Sequence, residues 1–436
     1  MDYSYSIRAQ DCIAGGALTN SKRPDCFVRG VYQTHATHGS GPFIYDVSGH
    51  KLYDFICGLG SNILGYGNEK IARAIYTQAT RGTTLSMSSA IEIQLAEKVK
   101  EIVPWVQKVR FLKTGTQATT SAIRIARTFH GVKSDNEGYY GLTGSGDFTK
   151  IEALVSRTYD AKDGKKPRAL VLSSDYHGDA DIFTSLTEPR FGVLKDPYML
   201  QLKGNEDLIP MAAAVIIEPI SIDMSEARMA WLRDLRKKCT ESGTILIFDE
   251  IITGFRTKGF TMSKYFGIEP DLICLGKAMA NGMPISCVGG KDEVMNCGDY
   301  FVSSTFAGET CSIAAALKTI ELLQTKAYDL NDLWNAGAYF TAQFNLMAPE
   351  SIKINGYATR GVFEGDLLFK ALLWQEAYRA GILFGSSFFI NFAHISRIDR
   401  ILNIIRDIVM RIKSGEVTLM GEMPKSPFSQ QTRGLR

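Results

Sequence analysis

Short apolar runs alternate with helical patterns through the central part of the chain. Four of these runs contain almost no polar residue before their last positions: ALVLSS (169–174), AAVIIEP (213–219), ILIFDE (245–250) and DLICLG (271–276). Such runs are typical of strands buried on both faces of a parallel sheet. Segments 116–129 and 229–239 show the 3.6-residue spacing of helices. The alternation predicts an α/β domain with right-handed crossovers between parallel strands.

The two ends of the chain show a different pattern. Residues 43–57 alternate apolar and polar side chains around a Ser-Gly turn, which predicts a hairpin. Near the other end, residues 366–379 predict an amphipathic helix, 382–392 a strand, and a last helix starts at about Ile398. We expect both chain ends to form a second, smaller α+β domain beside the large, mostly parallel sheet domain.

These changes of pattern predict the domain boundaries. We expect an N-terminal part of the small domain at 1–60, a large domain at 61–325, a C-terminal part of the small domain at 326–412 and a flexible tail at 413–436. The large domain contains an insertion at about 132–167. The tail is polar and contains glycine and proline, which is typical of a weakly ordered terminus.

Composition and charge exclude several classes of protein. The chain has 436 residues, of which 45% are hydrophobic and 22% charged, and its net charge is only +3. The sequence has no basic stripe, so we do not expect it to bind nucleic acid. The N-terminus lacks the apolar core of a secretory signal, and no apolar run approaches the roughly 18–20 residues that span a bilayer. The eight cysteines are dispersed, with no metal-binding spacing. We therefore expect a cytoplasmic protein without a membrane segment or a metal site.

Lys277 is the first candidate for chemistry. It lies in LGKAMANGMP (275–284), a stretch of apolar and small residues directly after one of the predicted buried strands. Burying an ammonium group is costly unless the group is paired. Desolvation lowers the pKa of a lysine and makes its neutral amine available as a nucleophile toward carbonyl groups. The pattern suits a lysine that forms an imine, but taken alone it also fits a lysine whose ammonium group simply reaches solvent.

Three further features follow predicted strands of the same sheet. Asp249 is the last but one residue of ILIFDE, at the carboxyl end of the strand, where an acid can keep a pyridinium nitrogen protonated. Gly115 and Thr116 open a helix, and free N–H groups at a helix start suit a phosphate. Tyr176 can lay its ring on a flat ligand. Each feature alone has an ordinary structural explanation, but together they supply the amine, acid, phosphate cradle and stacking face that pyridoxal phosphate (PLP) requires.

At these residues the chain resembles the class III aminotransferases, and within them the glutamate-1-semialdehyde aminomutase branch. The matching blocks follow the family's order over roughly 43–320. They are KTGTQATTSAIRIAR (113–127), DYHG (175–178), IIEP (216–219), LIFDEIITGFR (246–256), EPDLICLGKAMANGMPISCVGG (269–290) and SSTFAGETCSIAAA (303–316). Arg256 favours the aminomutase branch. The resemblance implies the type I fold of PLP-dependent transferases.

The resemblance also implies roles for individual residues. Lys277 carries PLP as a Schiff base, and Asp249 pairs with its pyridine nitrogen. Ile251 covers one face of the ring and Tyr176 the other. Gly115 holds the phosphate together with Thr116.

Other implied roles concern the neighbouring subunit and the substrate. Glu218, in the IIEP block, belongs to the cofactor site. Thr305 reaches the phosphate of the neighbouring subunit, which implies a homodimer with shared active sites. Arg23 is a candidate for binding a substrate carboxylate. Gln117 stands where the family usually has Glu, and Glu309 where many relatives have Asn, so the pocket differs from that of the aminomutases.

The expected activity is transfer of an amino group from a donor amine to an aldehyde or ketone acceptor. Lys277 is the expected general base and acid in both halves of the reaction. One alternative keeps the cofactor but makes the reaction an intramolecular 2,1-aminomutation or a racemisation. An alternative of another class is a cofactor-binding homologue without catalysis. The substrate is not indicated by any residue.

Overall fold

A computed structural model describes residues 4–132, 170–184, 186, 193, 196 and 198–426. The expected insertion therefore lies outside the described residues, apart from Val132. The chain divides into two compact units. Unit 1 comprises Met1–Arg73, Ile222–Met224 and Glu321–Arg436, and unit 2 comprises Ala74–Ser221 and Ser225–Ile320.

The strands and helices of the described residues are numbered along the chain. The strands are β1 (Ala36–Ser40), β2 (Phe43–Asp46), β3 (Lys51–Asp54), β4 (Lys108–Leu112), β5 (Val171–Ser173), β6 (Met199–Gln201), β7 (Ala214–Ile217), β8 (Ile245–Glu250), β9 (Leu272–Leu275), β10 (Ser286–Gly290), β11 (Ile352–Tyr357), β12 (Arg360–Gly365), β13 (Ile382–Leu383) and β14 (Ser387–Phe389). The α-helices are α1 (Ser4–Cys12), α2 (Cys57–Gly60), α3 (Glu69–Ala79), α4 (Ala90–Ile102), α5 (Gly115–Phe129), α6 (Asp181–Thr184), α7 (Glu226–Ser242), α8 (Met262–Phe266), α9 (Asp292–Met295), α10 (Thr310–Leu323), α11 (Leu330–Met347), α12 (Leu367–Arg379) and α13 (Ile398–Lys413).

Unit 2 is built on a sheet of seven described strands in the order β4-β10-β9-β8-β7-β5-β6. Strands β5 to β9 pair in parallel, while β10 runs antiparallel to both β9 and β4. Every residue of β7, β8 and β9 is buried, as their continuous apolar patterns predict. Each fully buried Val, Leu or Ile side chain stabilises the fold by roughly 1.5–3 kcal/mol, which holds these strands at the centre of the sheet.

The direction of the strands decides where the site residues collect. Since β10 is antiparallel to both its neighbours, β4 runs in the same direction as β9. The carboxyl ends of β4, β5, β7, β8 and β9 therefore meet at one edge of the sheet. Open α/β sheets bind their ligands at this edge.

The loop after β8 is held by a buried carboxylate. Glu250 accepts hydrogen bonds from Met262 N at 2.6 Å, Ser263 N at 2.8 Å and Thr253 Oγ1 at 2.9 Å. Burial raises the pKa of Glu250 to about 7, although these hydrogen bonds act in the opposite direction. Because the carboxylate connects the end of β8 to the start of α8, it fixes the loop that begins at Ile251.

Unit 1 contains two smaller sheets, with strand orders β1-β2-β3-β13 and β11-β12-β14. The predicted hairpin is present, since β2 pairs antiparallel with β3. The single strand expected at 382–392 is wrong: β13 joins β3 in one sheet and β14 joins β12 in the other. The turn at 384–386 separates them, a change of partner that the apolar pattern alone does not reveal.

Helix α12 also differs from its sequence prediction. Asp366 caps it, accepting hydrogen bonds from Leu368 N and Phe369 N at 2.8 and 3.1 Å. The amphipathic character was wrong, because every residue from Ala371 to Tyr378 is buried. Polar Gln375 can be buried in this helix because its amide is hydrogen-bonded to the chain beyond α13. Its Nε2 donates to Thr418 O, and its Oε1 accepts from Met420 N. Among the described residues, no helix combines the length and apolarity needed to cross a bilayer.

Candidate active site

The N-terminus of α5 forms a cradle for an anion. Thr114 caps the helix by accepting a hydrogen bond from Gln117 N at 3.2 Å, and Gln117 Oε1 accepts in return from Thr114 N and Lys113 N. Gly115 and Thr116 are the first two residues of the helix, so their N–H groups have no carbonyl partner within it. These N–H groups and the positive end of the helix dipole can hold a phosphate.

Asp249 and His177 form a buried pair beside this cradle. His177 Nδ1 lies 2.8 Å from Asp249 Oδ2, and Asp249 Oδ1 accepts a hydrogen bond from Ile251 N at 3.0 Å. Burial by itself lowers the pKa of His177, but the hydrogen bond and charge of Asp249, with the charges of Glu218 and Asp175, raise it above its usual value. The histidine therefore fixes the orientation of the carboxylate.

Ile251 connects the cradle with the segment that carries Lys277. A Cβ at Gly115 would lie 3.0 Å from Ile251 Cγ2, and a Cβ at Gly276 would lie 3.0 Å from Ile251 Cδ1. Lys277 follows Gly276 directly and begins a short 3-10 turn with φ at 39°. A left-handed backbone is uncommon for lysine, and such strained positions cluster at functional sites.

An ion pair ties the cradle to the segment before α10. Lys113 Nζ lies 2.9 Å from Glu309 Oε2, and both side chains are largely buried. Glu309 also caps α10, accepting from Cys311 N, Ser312 N and Ser312 Oγ. Burial raises the pKa of Glu309, but the hydrogen bonds from Ser312, Lys113 and Cys311 outweigh it and lower the pKa to about 2. Glu309, which departs from the family pattern, therefore connects the cradle to the start of α10.

The structure brings most of the sequence-predicted site residues to one edge of the unit 2 sheet. Lys277, Asp249, Glu218, Tyr176 and the Gly115-Thr116 turn each end or follow one of its parallel strands. Glu218 is buried, and its N–H donates to Asp175 Oδ2 at 3.0 Å. Tyr176 is 51% exposed.

Two predicted residues are not among those at the strand ends. Thr305 is exposed and lies four residues before Glu309, in the segment that leads into α10. Arg23 is in unit 1, where it is buried with its Nε 3.5 Å from Asp25 Oδ1. The roles that the resemblance implies for both residues stay predictions.

Sequence reasoning missed two residues of the DYHGDAD block. It selected Tyr176, whereas His177 makes the contact with Asp249 and Asp179 contacts the cradle through Thr116. One signal was present, because His177 follows the predicted strand ALVLSS by three residues and is one of only six histidines in the chain. No comparable signal marks Asp179, since exposed carboxylates are ordinary at loop positions.

The residues at this edge fit PLP. The cradle offers backbone N–H groups to a phosphate, and Asp249 offers a carboxylate to a ring nitrogen. Glycine at 115 and 276 leaves Ile251 free to pack against a flat ring, where any larger residue would crowd it. His177 Nε2 is buried without a hydrogen-bond partner among the described residues, so the pair with Asp249 is made through Nδ1 alone.

Comparisons with known proteins identify the family of this chain. The family model for class III aminotransferases matches residues 28–365. Glutamate-1-semialdehyde 2,1-aminomutase of Desulfotalea psychrophila is 32% identical over 74% of this chain and 73% of its own length. The enzyme of the same name from Methanosarcina acetivorans is 32% identical over 67% of each chain.

Solved structures share the fold. The FumI protein of Sphingopyxis sp. MTA144, in its PLP internal aldimine form, superposes with a TM-score of 0.81 at 22% identity and covers 97% of this chain and 98% of its own. An omega-transaminase from Sphaerobacter thermophilus has a TM-score of 0.76 at 21% identity, covering 94% and 97%. The sheet and its strand-end site thus define a type I PLP-dependent enzyme. The chain belongs to the class III aminotransferase family, which confirms the fold class, the cofactor and the enzyme class expected from the sequence.

Proposed function

We propose that this enzyme transfers an amino group from a donor amine to an aldehyde or ketone acceptor in two half-reactions. The observation that carries the proposal is the arrangement at one sheet edge of a lysine, a carboxylate fixed by histidine and a helix-terminal cradle. The departures at Gln117 and Glu309 support a pocket different from that of the aminomutase relatives.

The site residues have distinct proposed roles. When bound, PLP supplies an aldehyde carbon that exchanges amines and a cationic ring that accepts the electron pair of a deprotonated carbon. Lys277 Nζ holds the cofactor and, when free, moves a proton as general base and acid. Asp249 keeps the ring nitrogen protonated, and His177 keeps Asp249 oriented. Gly115 and Thr116 hold the phosphate, with Glu218, Ile251 and Tyr176 around the ring.

Separate half-reactions test the proposed activity. The loaded enzyme is mixed with single amines, and the cofactor absorbance is followed without an acceptor. We expect a productive donor to remove the absorbance of the aldehyde form, and a later addition of an aldehyde or ketone to restore it. Glutamate 1-semialdehyde, after which the aminomutase relatives are named, is tested for comparison. Isomerisation of that compound alone, at a rate above every donor-acceptor pair, would show an aminomutase instead.

We further propose that the enzyme works as a homodimer through a surface of unit 2. Large apolar side chains are exposed there, among them Met87, Phe301 and Phe306, at 84%, 80% and 57%. The segments that carry Met87 and Phe306 approach each other, since Thr310 Oγ1 donates to Gly82 O at 2.8 Å. Exposed apolar groups clustered in this way mark protein interfaces. A second copy covering this surface would bring its own Thr305 segment with it.

The dimer surface can be tested by a charged substitution. Phe306→Arg is expected to convert the enzyme from dimer to monomer at micromolar concentration and to lower its activity by about tenfold or more, because an arginine cannot be buried there without a partner. Leu346→Arg, at an apolar position of α11 in unit 1 that is 79% exposed, is the control and should stay dimeric. Sedimentation gives the mass. A wild-type enzyme that is monomeric and fully active would contradict the dimer.

We place the enzyme in the cytoplasm. None of the eight cysteines forms a disulfide bond, and six of them are buried. Cysteines that remain as thiols are typical of a reducing compartment.

A further inference from the structure

A carboxylate stands at the end of α5 that receives the cofactor's phosphate. Asp179 Oδ1 accepts a hydrogen bond from Thr116 Oγ1 at 2.7 Å, and Asp179 N donates a hydrogen bond to Thr116 Oγ1 at 3.3 Å. Asp179 is exposed, so its charge is not required by the core of unit 2. Because the phosphate is also negative, the charge of Asp179 repels it and weakens its binding at the cradle.

The hydrogen bond decides what Thr116 can offer. A hydroxyl carries a single hydrogen, and here Thr116 gives it to Asp179. A phosphate ester at neutral pH bears a charge of about −1.5 to −2 and only accepts hydrogen bonds. While the contact persists, the phosphate receives the backbone N–H groups of Gly115 and Thr116 but no hydroxyl hydrogen.

The backbone keeps Asp179 in this position. Gly178 has φ at 120°, and a Cβ on it would lie 2.3 Å from Thr116 Oγ1. One turn along the helix, Thr119 Oγ1 donates to His177 O at 2.7 Å. The loop after β5 is therefore packed against the first turn of α5, and these contacts keep the backbone of Asp179 beside Thr116.

We propose that Asp179 weakens the hold of the site on the cofactor's phosphate, so that pyridoxamine phosphate dissociates into solution between half-reactions. The inference rests on the proposed transamination. Lys277 bonds the aldehyde form covalently, whereas an amine in place of the aldehyde leaves the cofactor held by noncovalent contacts alone. A penalty at the phosphate therefore releases pyridoxamine phosphate and leaves PLP bound.

Equilibrium dialysis of the full-length chain with pyridoxamine phosphate tests the proposal. Asp179→Asn keeps an oxygen that can accept from Thr116 but removes the charge. We expect it to tighten binding by about tenfold, a size consistent with partly screened like charges at close range. Asp181→Asn, the matched control at the first residue of α6, should change binding less than about twofold. Inorganic phosphate, used as a competitor, should also bind more tightly to Asp179→Asn than to the wild type and Asp181→Asn.

Thr116→Val separates the charge from the hydroxyl. Because the hydroxyl hydrogen is given to Asp179, its loss is expected to change the binding of pyridoxamine phosphate less than about twofold. A loss of about fivefold or more would show that the hydroxyl reaches the phosphate, which overturns the proposal. Unchanged or weaker binding by Asp179→Asn would overturn it as well. If no variant binds pyridoxamine phosphate, the proposed function itself fails.

Discussion

Lys277→Ala is expected to reduce turnover by at least about 10⁴-fold. The substitution removes the nucleophilic amine and the general base in one step, and each contributes a large factor to such reactions. Turnover is measured with a donor and acceptor pair found in the half-reaction screen. Borohydride treatment followed by peptide mass analysis should add the cofactor's mass at residue 277 in the wild type and not in the variant.

Two other variants make this result specific. Lys277→Arg keeps a positive charge but presents a guanidinium that is not a nucleophile at neutral pH, so it should be as inactive as alanine. Lys291→Ala removes a lysine whose Nζ lies 3.0 Å from Asp271 Oδ1, at the other end of β9, and should retain the wild-type rate. Turnover by Lys277→Ala within about tenfold of the wild type would remove the basis for the proposed mechanism.

Asp249→Asn is expected to lower the rate by about 10²–10³-fold and to weaken cofactor binding. A neutral amide cannot balance a protonated ring nitrogen, and the loss of one preorganised charge at a reacting group typically has this size. The asparagine is nearly isosteric and can still accept from His177, so the fold should persist. The measurements are the rate, the dissociation constant of PLP and the unfolding temperature.

His177 provides an independent readout of the same change. Since Asp249 raises the pKa of His177, we expect that pKa to be lower in Asp249→Asn, as followed by NMR of the imidazole. His177→Gln keeps a donor toward Asp249 but not the charge, and should give an intermediate rate. If Asp249→Asn kept the wild-type rate while the pKa of His177 fell, the pair would be structural and the ring nitrogen would have another partner.

Much of this molecule follows from local sequence. The run ILIFDE forms β8 over the same six residues, because a short, continuous apolar run is typical of a strand buried on both faces of a sheet. The helix that follows β4 begins at Gly115, where the capping residue Thr114 and Gln117 three positions later specify its start. Such features depend on neighbours within a few residues, and the chain itself records them.

Contacts across long sequence separations were decided by the tertiary structure. Lys113 meets Glu309, 196 residues away, and His177 meets Asp249, 72 residues away. The strand order of unit 2 and the division of 382–392 between two sheets are of the same kind. Periodicity reports whether a residue is buried, but not against which partner, because many strand orders satisfy the same pattern of burial.

The candidate site illustrates both levels. Sequence by itself determined that a lysine, an acid and a glycine-opened helix follow predicted buried strands, and these residues carry the family resemblance. Only the fold decided that His177 orients Asp249, and that Asp179 accepts the hydroxyl hydrogen of Thr116. The physical reason is that a hydrogen bond depends on distances of about 3 Å, which are set when the strand ends meet and not by the order of residues along the chain.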